Sequence, residues 1–394
     1  MKESSDKTQK RTSDSYLGFE QGPIRPPSEA YSLLVRVTRN CPWNRCTFCP
    51  VYKGTKFSRR PVEHVKKDID AVHQHIQLFL ELADQSGRVP ASEIKRVAEE
   101  VDADRSPAFV AAFNWYFAGG MESVFIQDAN SLIIKPSDLV EILAHLKKRF
   151  PRTERITSYA RSQTIARSKE EDLKAFGDAG LNRIHIGLES GSDEVLKMVK
   201  KGVTKEMHVQ AGQKVKRAGI ELSEYHMPGL GGRKYSKQHA LETADALNQV
   251  NPDFIRLRTL AIPNFAPLFE DWHTGRFEKC SEVEVVTEIL MFIEKLDGIT
   301  SVVKSDHVLN LLQDLEGRLP QEKERMLNIL HDFLEMDAER QALYQVGRRI
   351  GVFSALSDME KPNRMARAER ACRELGVTPE NVDKVTSELM KRFI

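Results

Sequence analysis

Three cysteines stand within nine residues, in the run Cys41-Pro42-Trp43-Asn44-Arg45-Cys46-Thr47-Phe48-Cys49-Pro50. Thiolates are the usual ligands of iron-sulfur clusters, and three that converge on one cubane leave its fourth iron open to a non-protein ligand. An open iron implies chemistry. A zinc site of three cysteines and a histidine is the rival reading, although no histidine follows the loop before His64. The four-then-two spacing also opens the plant-type ferredoxin pattern, which needs a fourth cysteine. The next one is Cys280, in a different region, and with Cys372 it forms no disulfide framework.

Such a loop needs a scaffold. Tyr31–Thr38, directly before the cysteines, has the β-branched, apolar character of a buried strand. Further strands are expected at Ser123–Gln127, Arg155–Ser158, Arg183–Gly187, Ile220–His226 and Phe254–Arg258. Helical patterns separate them at Pro61–Phe79, Ser137–Lys148, Lys169–Ala179, Lys205–Ala218 and Ser236–Gln249, with an additional charged and aromatic insertion over about 80–120. Strands alternating with helices predict an α/β fold with a parallel sheet and right-handed crossovers. Residues 1–29 read as a polar arm or strap, 30–275 as the core, and 276–394 as a helical C-terminal region in which strand signals fade after about Ser281.

In such folds ligands gather where strands end at their carboxyl side. The cysteine loop follows the first strand, Gln127-Asp128-Ala129-Asn130 closes the second, Tyr159-Ala160-Arg161 the third, Glu189-Ser190-Gly191 the fourth, and Pro228-Gly229-Leu230-Gly231-Gly232 the fifth. Arg256 and Arg258 share one face of the sixth, which suits either an anionic ligand or a salt-bridged interior. Tyr225 and His226 end the fifth strand as either core or substrate-facing groups. Lys53, Lys56, Arg59 and Arg60 form a basic cluster after the cysteines.

Together these motifs resemble the radical S-adenosylmethionine (SAM) superfamily, from about Tyr31 to Glu270. The wording of Ile186–Leu196 is close to the branch with methylthiotransferase-like, cobalamin-linked and coproporphyrinogen-oxidase-like members. The resemblance implies a partial (β/α)6 TIM-like barrel with a helical C-terminal region, a [4Fe-4S] cluster on Cys41, Cys46 and Cys49, and SAM as cofactor. It implies SAM contacts from Phe48, Gln127, Asp128, Asn130, Arg161, Glu189, Ser190, Gly229 and Gly231. Here the cysteine spacing is C-x4-C-x2-C, one residue longer than usual, and Gln127–Asn130 contains no glycine, so that segment matches by position.

The implied activity is reductive cleavage of SAM to a 5'-deoxyadenosyl radical that abstracts hydrogen from a small-molecule or macromolecular substrate, with reduced flavodoxin or ferredoxin as donor. A non-catalytic electron-transfer protein or structural zinc protein is the alternative. No Asp-x-His-x-x-Gly signature or preceding domain supports cobalamin, and two separated spare cysteines exclude an auxiliary four-cysteine cluster. The 59 basic and 57 acidic side chains give a net charge of +2, which offers no global reason for a nucleic-acid partner. No apolar run reaches the roughly 18 residues of a membrane span. Without an N-terminal signal segment, a cytoplasmic location is expected.

Overall fold

Alternation of apolar and polar residues gives each strand two chemically distinct faces, and the chain assembles these strands into one main sheet. The computed structural model describes residues 15–103 and 105–391; residues 1–14 of the expected arm lie outside the described residues. β1 (Leu33–Arg36) is followed by a short antiparallel pair, β2 (Thr38–Arg39) and β3 (Ser58–Arg59), which brackets the cysteine loop. Next come α1 (Val62–Leu82), α2 (Ala91–Glu100), α3 (Ser106–Phe117), β4 (Ser123–Gln127), α4 (Pro136–Arg149), β5 (Arg155–Ala160), α5 (Ser162–Arg167) and α6 (Glu170–Asp178). β6 (Arg183–Glu189), α7 (Asp193–Met198), α8 (Lys205–Arg217), β7 (Glu221–His226), α9 (Gly232–Val250), β8 (Phe254–Leu257) and α10 (Leu268–His273) continue the alternation. α11 (Glu282–Lys295), β9 (Val302–Lys304), β10 (Gly317–Arg318), α12 (Lys323–Leu334), α13 (Ala338–Arg349), α14 (Pro362–Leu375) and α15 (Val382–Met390) complete it.

The sheet order is β1-β4-β5-β6-β7-β8-β9-β10, parallel throughout except for the last pair. This is a partial barrel of α/β class. The strand signal does not end near Ser281 as expected: β9 extends the parallel arc beyond six strands. At three residues β9 is too short to show a period, so its neighbours in the sheet define it rather than its own pattern.

One face of the strands is apolar and lies under helices. Leu33, Val35, Val124, Ile126, Ile156, Ile184, Ile186 and Leu222 pack with Val65, Ile69 and Val72 of α1 and Leu139 and Leu143 of α4. Ile255, Leu257 and Val303 join Leu247 of α9, Phe292 of α11 and Met326, Leu330 and Phe333 of α12. The insertion is packing too: Phe79 of α1 meets Phe109, Phe113 and Phe117 of α3, with ring centroids 5.5–6.4 Å apart.

The other face is polar and aromatic. Phe125, Tyr159, His185 and Tyr225 form a belt with centroids 5.2–6.3 Å apart. Below it, at the strand starts, buried Glu29 accepts from Ser32 at 2.6 Å and pairs with Arg155 at 3.4 Å. Ser32 and Ser123 share a 2.7 Å bond, and Arg183 lies over the Phe254 ring at 4.5 Å. The segment before Glu29 rests on this face as a strap. Gly22 donates to Gln127 Oε1 at 2.7 Å, and Gln127 Nε2 donates to the Gly22 and Ile24 carbonyls.

Candidate active site

One buried anion fastens the cysteine loop. The Asp128 carboxylate, at the end of β4, accepts from Arg36 Nε at 3.1 Å and Nη2 at 2.8 Å, from the Asn40 backbone N–H at 3.1 Å, and from the Tyr52 hydroxyl. Asn40 and Tyr52 flank the three cysteines, so both ends of the loop are tied to β1 and β4 through a single side chain. Gly22 passes so close that a Cβ there would sit 2.8 Å from the carboxylate.

Inside the loop, Asn40 and Asn44 adopt left-handed backbone with φ of 68° and 47°, a region asparagine occupies more readily than most residues. The Asn44 N–H turns back to Cys41 Sγ at 3.4 Å. The extra residue between Cys41 and Cys46 is thus taken up in a left-handed turn. Thr47 docks the loop on both sides: its N–H donates to the Val199 carbonyl and its carbonyl accepts from Leu268 N–H, each at 2.9 Å. Trp43 Nε1 donates to the Lys200 carbonyl at 2.7 Å.

All three thiols are partly exposed and close enough to repel one another as thiolates. Burial pushes the Cys46 and Cys49 thiols up, and nearby cations pull the other way: Lys201 and Arg161 at Cys46, Lys201 and Lys53 at Cys49. Three such thiols with cations beside them fit the donor set and the net negative charge of a thiolate-bound cluster. Among the described residues, no histidine or carboxylate joins them in a compact single-ion group.

The rim residues divide into those that hold backbone and those that face the loop. Asn130 Oδ1 accepts from Arg161 N–H at 3.0 Å and its Nδ2 donates to Thr164 at 2.8 Å, which fixes the turn from β5 into α5. Ser190 points away from the barrel, 2.8 Å from His239 Nδ1. Next to it, Gly191 has its N–H on Thr243 at 2.8 Å. Gln127 and Asp128 are engaged by the strap and the loop. Arg161 lies over the Trp43 ring at 5.0 Å and donates to the Lys201 carbonyl at 2.8 Å. Glu189 reaches Lys201 Nζ at 3.1 Å, and a Cβ on Gly187 would come 2.2 Å from its carboxylate, so only glycine lets it fold back there. Phe48 packs beside Lys201, whose Nζ is 5.6 Å from the ring. Gly229, with φ of 83°, donates its N–H to Glu288 at 2.7 Å, and Gly231 packs against Tyr235.

On β8 the two arginines part ways. Arg256 is spent on Asp306 and on Ser223 at 3.2 Å. Arg258, one step past the strand, is exposed toward Tyr159, Tyr225 and His307 and has no acid partner among the described residues. Tyr225 shares the interior face, whereas His226 alternates outward onto Phe292. Arg60 leaves the expected basic cluster, buried between Glu20 and Asp68. A cavity of about 600 Å³ lies between Ala261–Phe265, Trp272 and α15, and no cysteine lines it.

A family model described as the radical SAM superfamily matches residues 35–247. The chain belongs to the radical SAM superfamily. The matched span runs from the second half of β1 through most of α9, and thus includes every rim residue up to Gly231. Enzymes of this superfamily use a [4Fe-4S] cluster and SAM and take electrons from reduced donors. A curated relative, tRNA uridine(34) acetyltransferase from Methanocaldococcus jannaschii, is 20% identical over 70% of this chain and 50% of its own length. A second, 4'-phospho-dehydrooxetanocin synthase from Priestia megaterium, is 27% identical over 55% of this chain and 26% of its own. The chain thus spans half or less of the curated relatives it matches. Coproporphyrinogen III oxidase from Escherichia coli aligns at 15% identity over 67% of this chain and 52% of that one, with a TM-score of 0.44. Methylornithine synthase does so at 14% over 69% and 64%, with a TM-score of 0.43.

Tyr52, Trp43 and Lys201, which the sequence did not single out, hold or flank the cysteine loop. Gly202 offered a signal. It has φ of 74°, and a Cβ there would come 2.2 Å from the Trp43 ring. Among the described residues no helix is long and apolar enough to cross a membrane.

Proposed function

We propose that this chain reductively cleaves SAM at a [4Fe-4S] cluster on Cys41, Cys46 and Cys49, yielding a 5'-deoxyadenosyl radical that abstracts hydrogen from a substrate within the barrel. The observation that carries the reading is the set of three thiols gathered in one loop and clamped by Asp128. Arg161, beside Cys41 and Cys46, would pair with a carboxylate through charge-assisted hydrogen bonds. Glu189 and Lys201 would orient ribose hydroxyls. Phe48, Gly229 and Gly231 would wall the base, the glycines allowing close approach of backbone. Gln127, Asp128, Asn130 and Ser190 would serve by fixing that backbone, since their side chains already have protein partners.

Arg258 supports an anionic small-molecule substrate, set against the aromatic belt. Exposed Lys56 and Arg59 support docking of an acidic donor such as reduced flavodoxin or ferredoxin, and reduced thiols support a cytoplasmic setting. Anaerobic reconstitution, dithionite reduction and assay for 5'-deoxyadenosine test the reading; an intact cluster that cleaves no SAM defeats it. Cys46→Ala should lose both cluster and cleavage. The relatives named as tRNA uridine acetyltransferases favour a second reading, a tRNA substrate. Filter binding with bulk tRNA at physiological salt separates the two.

A further inference from the structure

On the outer face of β7, behind the glycine segment, three buried side chains converge: His226 at the strand end, His239 on α9 and Glu288 on α11. One ligand atom from each lies within 4.8 Å of the other two. Both imidazoles are oriented through Nδ1. That of His226 is 3.4 Å from the Glu189 carbonyl, and that of His239 is 2.8 Å from the Ser190 hydroxyl. That leaves Nε2 as the second donor atom of each ring. His226 Nε2 is buried with no hydrogen-bond partner among the described residues, and His239 Nε2 lies 3.7 Å from Glu288 Oε1 and 3.0 Å from the Met227 carbonyl. An imidazole anchored at one nitrogen by a carbonyl or hydroxyl, with its other nitrogen aimed at a carboxylate, has the arrangement of a metal ligand with its outer-shell support.

Glu288 points the same way. Its carboxylate accepts from Gly229 N–H at 2.7 Å and from the Ser236 hydroxyl at 2.5 Å. Among the described residues no lysine or arginine pairs with it, and His239 is its only ion-pair partner. A buried carboxylate without a cation is costly, and a metal ion supplies the missing charge.

We propose that His226 Nε2, His239 Nε2 and Glu288 Oε1 bind one zinc-class divalent cation, with the Met227 carbonyl as fourth donor. Zinc at about 2.0–2.2 Å from nitrogen and oxygen sets tetrahedral donors roughly 3.3–3.5 Å apart. The 3.7 Å between His239 and Glu288 therefore closes with a few tenths of an ångström of ring movement. Two imidazoles and a carboxylate suit zinc better than calcium or magnesium, which prefer all-oxygen shells. The ion staples β7, α9 and α11 behind Met227–Gly229. Glu288 lies beyond the matched residues 35–247, so the ion ties the superfamily segment to the helices on its C-terminal side.

The test uses the full chain with Cys41, Cys46 and Cys49 all replaced by alanine, so that loop thiols cannot compete. After chelator treatment it is titrated with Zn²⁺, and with Co²⁺ as the spectroscopic probe. The expected result is one equivalent per chain, cobalt bands without a thiolate charge-transfer band, and a thermal midpoint raised by ~3 °C at a hundredfold excess over Kd. Glu288→Gln and His239→Gln should weaken binding at least ~10-fold, while exposed His331→Gln leaves it unchanged. Failure of the parent chain to take up a stoichiometric ion overturns the proposal, as does a thiolate band or undiminished binding in a folded Glu288→Gln chain. If Glu288→Gln does not fold, the parent chain's stoichiometry and cobalt spectrum decide alone.

Discussion

Asp128 gives the sharpest test of how the cysteine loop is held. Removing its carboxylate in Asp128→Ala takes two hydrogen bonds from the Arg36 guanidinium, the acceptor from Asn40 N–H, and the partner of the Tyr52 hydroxyl. Breaking a buried ion pair by deleting one partner costs about 3–5 kcal/mol. Arg36 retains Glu20 at 3.4 Å, which moves the expectation toward the lower end. Asp128→Asn keeps one carbonyl oxygen for Arg36 and Asn40 but loses the charge, so about 1.5–3 kcal/mol is expected. Urea unfolding measures stability, and iron per chain after anaerobic reconstitution measures loop integrity. Both should fall in the order wild type, Asp128→Asn, Asp128→Ala. If Asp128→Ala loaded iron and unfolded as wild type does, the loop would be held by Thr47 and Trp43, and the clamp described above would be wrong.

Gly202→Ala should drive Trp43 from its place against Lys200, lowering iron content and costing about 1–3 kcal/mol in thermal or urea unfolding. Arg161→Met should weaken SAM binding about 10- to 100-fold in equilibrium dialysis, the loss of one charge-assisted contact; unchanged affinity would confine Arg161 to its stack on Trp43. Asp358 is held at about 2, against an ordinary value of 3.8: burial opposes this, but Lys361, Arg364 and the Ser354 and Ala355 N–H groups outweigh it. Its contribution of roughly 2 kcal/mol is complete above pH 4 and disappears as pH falls toward 2. The stability gap between wild type and Asp358→Asn should therefore close over that window, and a pH-independent gap would count against the assignment.

The strands were legible as short runs, apolar or alternating and rich in β-branched and aromatic residues, and Ser123–Gln127 emerges with the expected bounds. Their partner helices were legible through capping and period; Lys205–Arg217 differs from the expected span by a single residue. What stayed hidden was structure made by contact. β2 and β3 have two residues each and exist only because they pair across the cysteine loop. The division between Arg256 and Arg258 depends on Asp306, some fifty residues away. Likewise, no local pattern shows that Gln127 serves the strap, that Ser190 faces His239, or that Glu288 caps Gly229.

The layer of Glu29, Ser32, Ser123, Arg155, Arg183 and Phe254 at the strand starts has a kinetic consequence. Burial pushes the His185 imidazole below its ordinary value beside Glu29, and these side chains pack across that end of the barrel. Ligands are then expected to share one approach, from the strand carboxyl ends where the cysteine loop lies. Ligands that share it must enter and leave in turn, the deeper one first in and last out. Turnover should then follow an ordered rather than a random sequence of binding.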